Sequence, residues 1–187
     1  MDLDGVVYPF IEAWHRCAYA NGFIDKDQIT STVNSWDFHN DYGLSAEAFR
    51  QTLPLWTNEG LYSFMQPNSN NVADWQWIYE NSYLHVITTR HPKAKKATDQ
   101  WLHFWGMPYH RLSVIGNSVS KASQVYNPVG RELIAVDDLE SNLIDYEHAL
   151  EGVETLLYAQ PYNIKDDFGR TRVNSLYEVR RLMEHGR

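Results

Sequence analysis

Four short apolar runs, rich in β-branched residues, punctuate the chain from Leu84 onward. They are Leu84-His85-Val86-Ile87-Thr88, Leu112-Ser113-Val114-Ile115-Gly116, Leu133-Ile134-Ala135-Val136-Asp137 and Thr155-Leu156-Leu157-Tyr158-Ala159. Their length and composition suit buried strands. Helical stretches separate them. Lys93 to Trp105 carries Ala97, Trp101, Leu102 and Trp105 on one face, and Gly106 stands where a helix would stop. A short helix is expected from Ser120 to Tyr126, another from Glu140 to Leu150, and a last one from about Val173 to Glu184. Strands alternating with helices specify an α/β fold with a parallel sheet.

The segment from about Glu12 to Gln66 is different. It holds Trp14, Phe23, Trp36, Phe38, Tyr42, Phe49, Trp56, Tyr62 and Phe64, and has few β-branched runs. Ile11 to Asn21 predicts a helix stopped by Gly22, and Ser45-Ala46-Glu47-Ala48-Phe49-Arg50 predicts the start of another. The segment is expected to be a small helical insertion over the sheet. Its aromatics are expected mainly to build a local core, with some free to line a pocket for a flat ligand. Pro67 to Asn71 is the expected hinge back into the main domain.

The total of 187 residues suits one domain with a modest insertion. A net charge of −8 argues against binding long nucleic acids through a basic face, but leaves room for a small anionic substrate beside a bound cation. Cys17 is the single cysteine, so neither an internal disulfide nor a thiolate metal cluster can form. No signal peptide or membrane-spanning run is visible, and a soluble cytoplasmic protein is expected.

Ligands of open parallel sheets bind beyond the carboxyl ends of the strands. The chemistry-bearing residues cluster at those points. The chain opens Met1-Asp2-Leu3-Asp4-Gly5; strand alternation points Asp2 and Asp4 the same way. Thr88-Thr89-Arg90 end the next strand, Lys121 follows the third, and Asp137-Asp138 end the fourth. Carboxylates, hydroxyls and a lysine on one edge suit Mg²⁺, which takes hard oxygen ligands, and phosphate, which needs cations and donors. Ala13 occupies the twelfth position counted from Asp2, where a calcium loop needs glutamate. No role falls to the eight histidines.

Together, DLDGVV at 2–7, HVITTR at 85–90, Lys121 in NSVSKAS and LIAVDD at 133–138 resemble the haloacid dehalogenase superfamily of phosphatases. Three further strings are similar to its small 5′(3′)-deoxyribonucleotidases: the stretch around Tyr42-Gly43-Leu44, LYSFMQP at 61–67 and LLYAQPYN at 156–163. The resemblance implies a Rossmann-like core from residues 1–11 and 67–187 and a helical cap from 12–66. It implies Asp2 as nucleophile toward phosphorus and Asp4 as general acid, then base. It implies Mg²⁺ held by Asp2, the Asp4 carbonyl and Asp138, with Asp137 supporting the ion or orienting Lys121. Thr88 and Lys121 would hold the phosphoryl oxygens, with Thr89 and Arg90 as further candidates. Phe10 and Trp36 would face the base and sugar. The implied substrate is a nucleoside monophosphate, with another phosphorylated metabolite, or nucleotide binding without turnover, as alternatives.

The nucleophile's strand is expected to be central, yet here it would comprise Met1 and little else. Apolar residues preceding Met1 in the translated protein, another segment or chain in that position, or a shortened strand would each account for this; the first is the expectation.

Overall fold

The computed structural model describes residues 1–30, 33, 35, 37–58, 65–68, 71–126, 131–164 and 169–185, with only the backbone described for residues 30 and 53–58. Among the described residues are five strands and six helices. Strand β1 is His85–Thr88, β2 Arg111–Val114, β3 Leu133–Asp137, β4 Val153–Tyr158 and β5 Thr171–Val173. Helix α1 is Phe10–Ala20, α2 Ala46–Asn58, α3 Asn71–Asn81, α4 Lys95–Phe104, α5 Glu140–Ala149 and α6 Leu176–His185. The anticipated stops hold at α1 and α4. Gly22 and Gly106 both take positive φ, and the next residues, Phe23 and Met107, return N–H bonds of 2.8 Å to Ala18 and Leu102.

All ladders are parallel. One sheet pairs β1 with β2; a second runs β3-β4-β5. The residues between them are Met1 and Asp2. The Met1 amine donates to the His85 carbonyl at 3.1 Å, and the Met1 carbonyl accepts from Ile87 N–H at 3.0 Å. On the other side, Asp2 N–H donates to the Val136 carbonyl at 2.9 Å. The start of the chain therefore stitches β1 to β3 and places the first motif at the centre of the fold.

Three tryptophans show how the layers are held. Trp14, Trp75 and Trp101 are fully buried, and each indole N–H finds an acceptor: Thr52 Oγ1 at 3.1 Å, the Pro108 carbonyl at 2.7 Å and the Met65 carbonyl at 2.6 Å. A buried indole so satisfied keeps its large apolar contribution without an orphaned donor. Trp14, Phe38 and Phe49 pack edge-on or tilted at 4.9–5.9 Å between centroids, but not as a separate local core: Trp14 and Phe38 belong to the same hydrophobic cluster as Trp75 and Trp101, and Phe49 packs against it. Trp36, Tyr62 and Phe64 lie outside the described residues, as does the Trp56 side chain.

Three local expectations are corrected. Ser120 to Tyr126 is not a helix but contains a single 3₁₀ turn, Ala122–Gln124. The Ser120 hydroxyl takes Ser123 N–H at 3.2 Å and the Ser123 hydroxyl returns to the Ser120 carbonyl at 2.7 Å, closing the turn on itself. The last helix begins at Leu176, not Val173, because Ser175 and Glu178 form its start: Glu178 N–H reaches Ser175 Oγ at 3.3 Å, and Asn174 N–H reaches Glu178 Oε2 at 2.8 Å. Of the residues released, Val173 ends β5. Helix α3 fills a stretch for which no element was expected; its buried faces are Trp75 and Ile78.

Candidate active site

The carboxyl ends of the central strands gather the acidic and basic residues into one place. Asp2, Asp137 and Asp138 are all buried, and one oxygen from each lies within 4.8 Å of the others. Lys121, 2% exposed, stands between two of them. Its Nζ donates to Asp137 Oδ2 at 2.6 Å and forms an ion pair with Asp2 Oδ1 at 2.9 Å. Burial alone would lower the lysine's pKa; the Asp137 and Asp2 carboxylates reverse that and hold it above the usual range. Burial also pushes the Asp2 carboxyl up to about 7, against the pull of Lys121.

Asp137 is fully engaged. Its second oxygen accepts from Leu139 N–H at 3.1 Å and Asn142 Nδ2 at 2.9 Å. Asp137 thus fixes Lys121 in place. Asp138 is different. Its Oδ2 accepts from the Tyr162 hydroxyl, while Oδ1 is buried with no hydrogen-bond partner among the described residues. Burial, reinforced by the charges of Asp137 and Asp2, raises Asp138 well above the ordinary carboxyl range.

Gly5 explains why the first motif can lie this close. Its φ is +80°, and a Cβ there would overlap the Asp138 carboxylate and the Tyr162 hydroxyl. Only glycine gives both the turn and the approach. The segment after β4 closes the far side. Gln160 donates to the Gly5 carbonyl, and Asn163 Nδ2 reaches the Asp138 and Tyr158 carbonyls, each at 2.8 Å. Gln160, Tyr162 and Asn163 had no role assigned from sequence. Their signal was their place after a strand, on the edge where the other functional residues converge.

Asp4 sits at the mouth, its side chain 15% exposed. Arg90 grips it with Nη2 to Oδ1 at 2.6 Å and Nε to Oδ2 at 2.8 Å, and Thr88 Oγ1 donates to Oδ2 at 3.2 Å. Arg90 is itself held by Thr98 Oγ1 at 3.1 Å and by the Tyr8 ring at 4.4 Å. Its guanidinium therefore faces Asp4. Thr89 is half-buried beside this group. Phe10 opens α1 and lines a cavity of about 330 Å³ with Gly5, Glu12, His15, Asn68 and Gln160.

The fold can now be set beside solved structures. A protein described as a phosphoglycolate phosphatase from Lactobacillus plantarum superposes with a TM-score of 0.62 at 12% identity, covering 97% of this chain and 96% of that one. The chain has the haloacid dehalogenase fold. An L-2-haloacid dehalogenase gives 0.55 at 11% identity, and a HAD-superfamily hydrolase of subfamily IA, variant 1, from Geobacter sulfurreducens gives 0.54 at 18%, each with the same coverage. No family model matches the sequence, and no curated protein matches it. Within this fold, the buried aspartates and Lys121 occupy the strand-end edge where the sheet topology allows a ligand to enter. No helix among the described residues is long and apolar enough to cross a membrane.

The donor set suits a hard divalent cation. Asp138 Oδ1 is a buried carboxylate oxygen without a partner, costly unless something cationic meets it. Mg²⁺ binds oxygens at ~2.1 Å, so two oxygens on one ion stand at most ~4.2 Å apart; those of Asp2 and Asp138 lie within 4.8 Å of one another, close to that span.

Proposed function

We propose that this protein is a Mg²⁺-dependent phosphomonoesterase of the haloacid dehalogenase superfamily, acting on nucleoside 5′-monophosphates. The observation that carries this is the buried set Asp2–Lys121–Asp137–Asp138, with the unpartnered Asp138 oxygen at its centre and Asp4 at its mouth.

Asp2, Asp138 and the Asp4 carbonyl would hold the cation, which supplies the positive charge that lets a carboxylate approach a phosphate dianion. Asp2 attacks phosphorus, the bond from phosphorus to the ester oxygen breaks, and an aspartyl-phosphate forms. Asp4 gives a proton to the departing oxygen; it then takes one from the water that attacks the aspartyl-phosphate, releasing phosphate and restoring Asp2. Lys121, oriented by Asp137, faces the phosphoryl oxygens and stabilises the charge that spreads over them. Thr88 and Arg90 aim the Asp4 carboxylate. Residues 12–66 act as a cap, and Phe10 at the cavity between cap and core stacks on the base. Trp36 is the second candidate for that stacking.

A panel of phosphate esters tests this. The expectation is Mg²⁺-dependent release of phosphate from nucleoside monophosphates, with Phe10→Ala raising KM for nucleotides more than for a small artificial ester. Asp2→Asn should abolish turnover with the fold intact. Preference for a sugar phosphate would remove the nucleotide assignment; binding of nucleotides without turnover by the parent protein would remove the enzyme assignment.

A further inference from the structure

The cavity of about 330 Å³ beside the active site opens against Asp138. Gly5 and Tyr162 belong to its wall, and both stand against the Asp138 carboxylate. An ester with its phosphorus at Asp2 and Asp138 has this space beside it for its leaving group. The rest of the wall includes Phe10, Glu12 and His15 of α1, and Asn68, where the chain re-enters the core after the insertion.

Side-chain donors in that wall are already committed. Tyr162 donates to Asp138, and Gln160 Nε2 donates to the Gly5 carbonyl. His15 Nε2 is held at the Tyr42 hydroxyl, and burial lowers its pKa from the ordinary 6.5, so it brings no positive charge at neutral pH. Asn68 is different. Its backbone N–H bonds the Val7 carbonyl at 2.9 Å, and its Nδ2 bonds the Val6 carbonyl at 3.2 Å. The amide is therefore pinned through its nitrogens, and Oδ1, bonded to none of the described residues, is left as an acceptor.

Charge follows the same pattern. Glu12 lines the cavity, and no lysine or arginine among the described residues does. The cations of the site are spent, Arg90 on Asp4 and Lys121 on Asp2 and Asp137. Arg16, one turn further along α1, pairs with Glu12 at 2.7 Å but is not part of the wall. The amino end of α1 carries partial positive charge, which Glu12 in its first turn offsets.

We propose that this cavity selects a leaving group that is uncharged and bears a hydrogen-bond donor: Asn68 Oδ1 receives the donor, and Glu12 repels a second anionic group. A site built to pair with a hydroxyl rejects analogues that lack it. The inference rests on the phosphomonoesterase reading of the site and not on the nucleoside assignment.

Two matched pairs of three-carbon esters test it, with free Mg²⁺ held equal. Glycerol 3-phosphate and 3-phosphoglycerate differ by a hydroxymethyl against a carboxylate; glycerol 3-phosphate and propyl phosphate differ by the hydroxyls. In the parent, glycerol 3-phosphate has the higher kcat/KM in both pairs, by at least about tenfold. Glu12→Lys brings the first ratio to unity or below. Asn68→Leu brings the second toward unity, and each variant leaves the other ratio at least about tenfold. Each ratio is read within one variant, so a general loss of activity cancels. Should Asn68→Leu not fold, the parent's second ratio decides that half. A parent that turns over 3-phosphoglycerate or propyl phosphate as well as glycerol 3-phosphate overturns the proposal. So does a first ratio unmoved by Glu12→Lys, or a second unmoved by a folded Asn68→Leu. Turnover of p-nitrophenyl phosphate, which needs neither contact, reports separately on the phosphomonoesterase reading. If the parent hydrolyses no ester, that reading fails, and the same ratios are read as dissociation constants by calorimetry.

Discussion

Replacing Gly5 by alanine tests whether the first motif is threaded against Asp138 as described. Two costs arise. The backbone at φ +80° disfavours a Cβ by ~1–2 kcal/mol. The added methyl also coincides with the Asp138 carboxylate and the Tyr162 hydroxyl, so the hydrogen bond between them must open. Losing a buried hydrogen bond and leaving its partner unsatisfied costs ~1–3 kcal/mol. The sum, roughly 2–5 kcal/mol, corresponds to a fall in Tm of about 10 °C. Thermal unfolding by circular dichroism reads this directly. A double-mutant cycle separates the two costs: in an Asp138→Ala/Tyr162→Phe background the methyl has room, and Gly5→Ala should cost only the backbone share, ~1–2 kcal/mol. An identical penalty in both backgrounds would refute the close approach. No penalty in either would refute the strained turn as well.

Three other outcomes are expected. Lys121→Met leaves Asp2 and Asp137 buried without their counter-charge and should cost ~3–5 kcal/mol in urea unfolding; an unchanged midpoint would show that the lysine is not the clamp. Arg90→Lys breaks the two-point grip on Asp4, so kcat should fall at least tenfold with KM nearly unchanged; a rise in KM alone would mean that Arg90 holds substrate phosphate instead. His85, desolvated and close to the Met1 amine and Arg111, has its pKa lowered to about 4 from 6.5. Between those values the unfolded chain binds a proton that the folded chain does not, so stability rises with pH from about 4 to 6.5 and is lost on acidification. His85→Gln should flatten that part of the profile, measured as Tm against pH; an unaltered slope would show that His85 titrates normally.

The strands were legible because a buried parallel strand leaves little choice of residue. β3 was placed to the residue, and β1, β2 and β4 within two residues at each end, since both faces of each must be apolar. β5 was not legible. Its three residues, Thr171-Arg172-Val173, include a charged side chain that bonds Asn163 rather than solvent, so no apolar run marks it. Helix α3 was missed for a related reason. It buries only Asn71, Trp75 and Ile78, too few apolar positions for a period to emerge from the sequence.

The site was legible to the degree that strand ends identify it. Asp2, Asp4, Thr88, Lys121, Asp137 and Asp138 were each nominated by lying just after a strand or a strand-like run, and the structure brings all of them together. What the sequence left open was the division of labour among them. Thr88 stood as a first candidate for binding phosphate and Arg90 as a further one, yet both bond Asp4, and Arg90 is aimed there by Thr98, one helix away, and by the Tyr8 ring. Asp137 and Asp138 are neighbours of the same type, yet one is saturated by Lys121, Leu139 and Asn142 while the other keeps a bare oxygen. Neither distinction is set by local sequence alone. Leu139 and Asn142 follow Asp137 closely, but Lys121 reaches it from another segment, and Tyr162 after β4 takes one of the two Asp138 oxygens. Identity at a strand end can therefore be read one residue at a time, whereas role depends on how the neighbouring strand ends consume hydrogen-bonding capacity. Tyr162→Phe probes that dependence, because it frees the second Asp138 oxygen without touching the carboxylate, and loss of such an outer partner costs ~10–100-fold in metal affinity. An unchanged Mg²⁺ affinity by calorimetry would mean that Asp138 is positioned by its own strand alone.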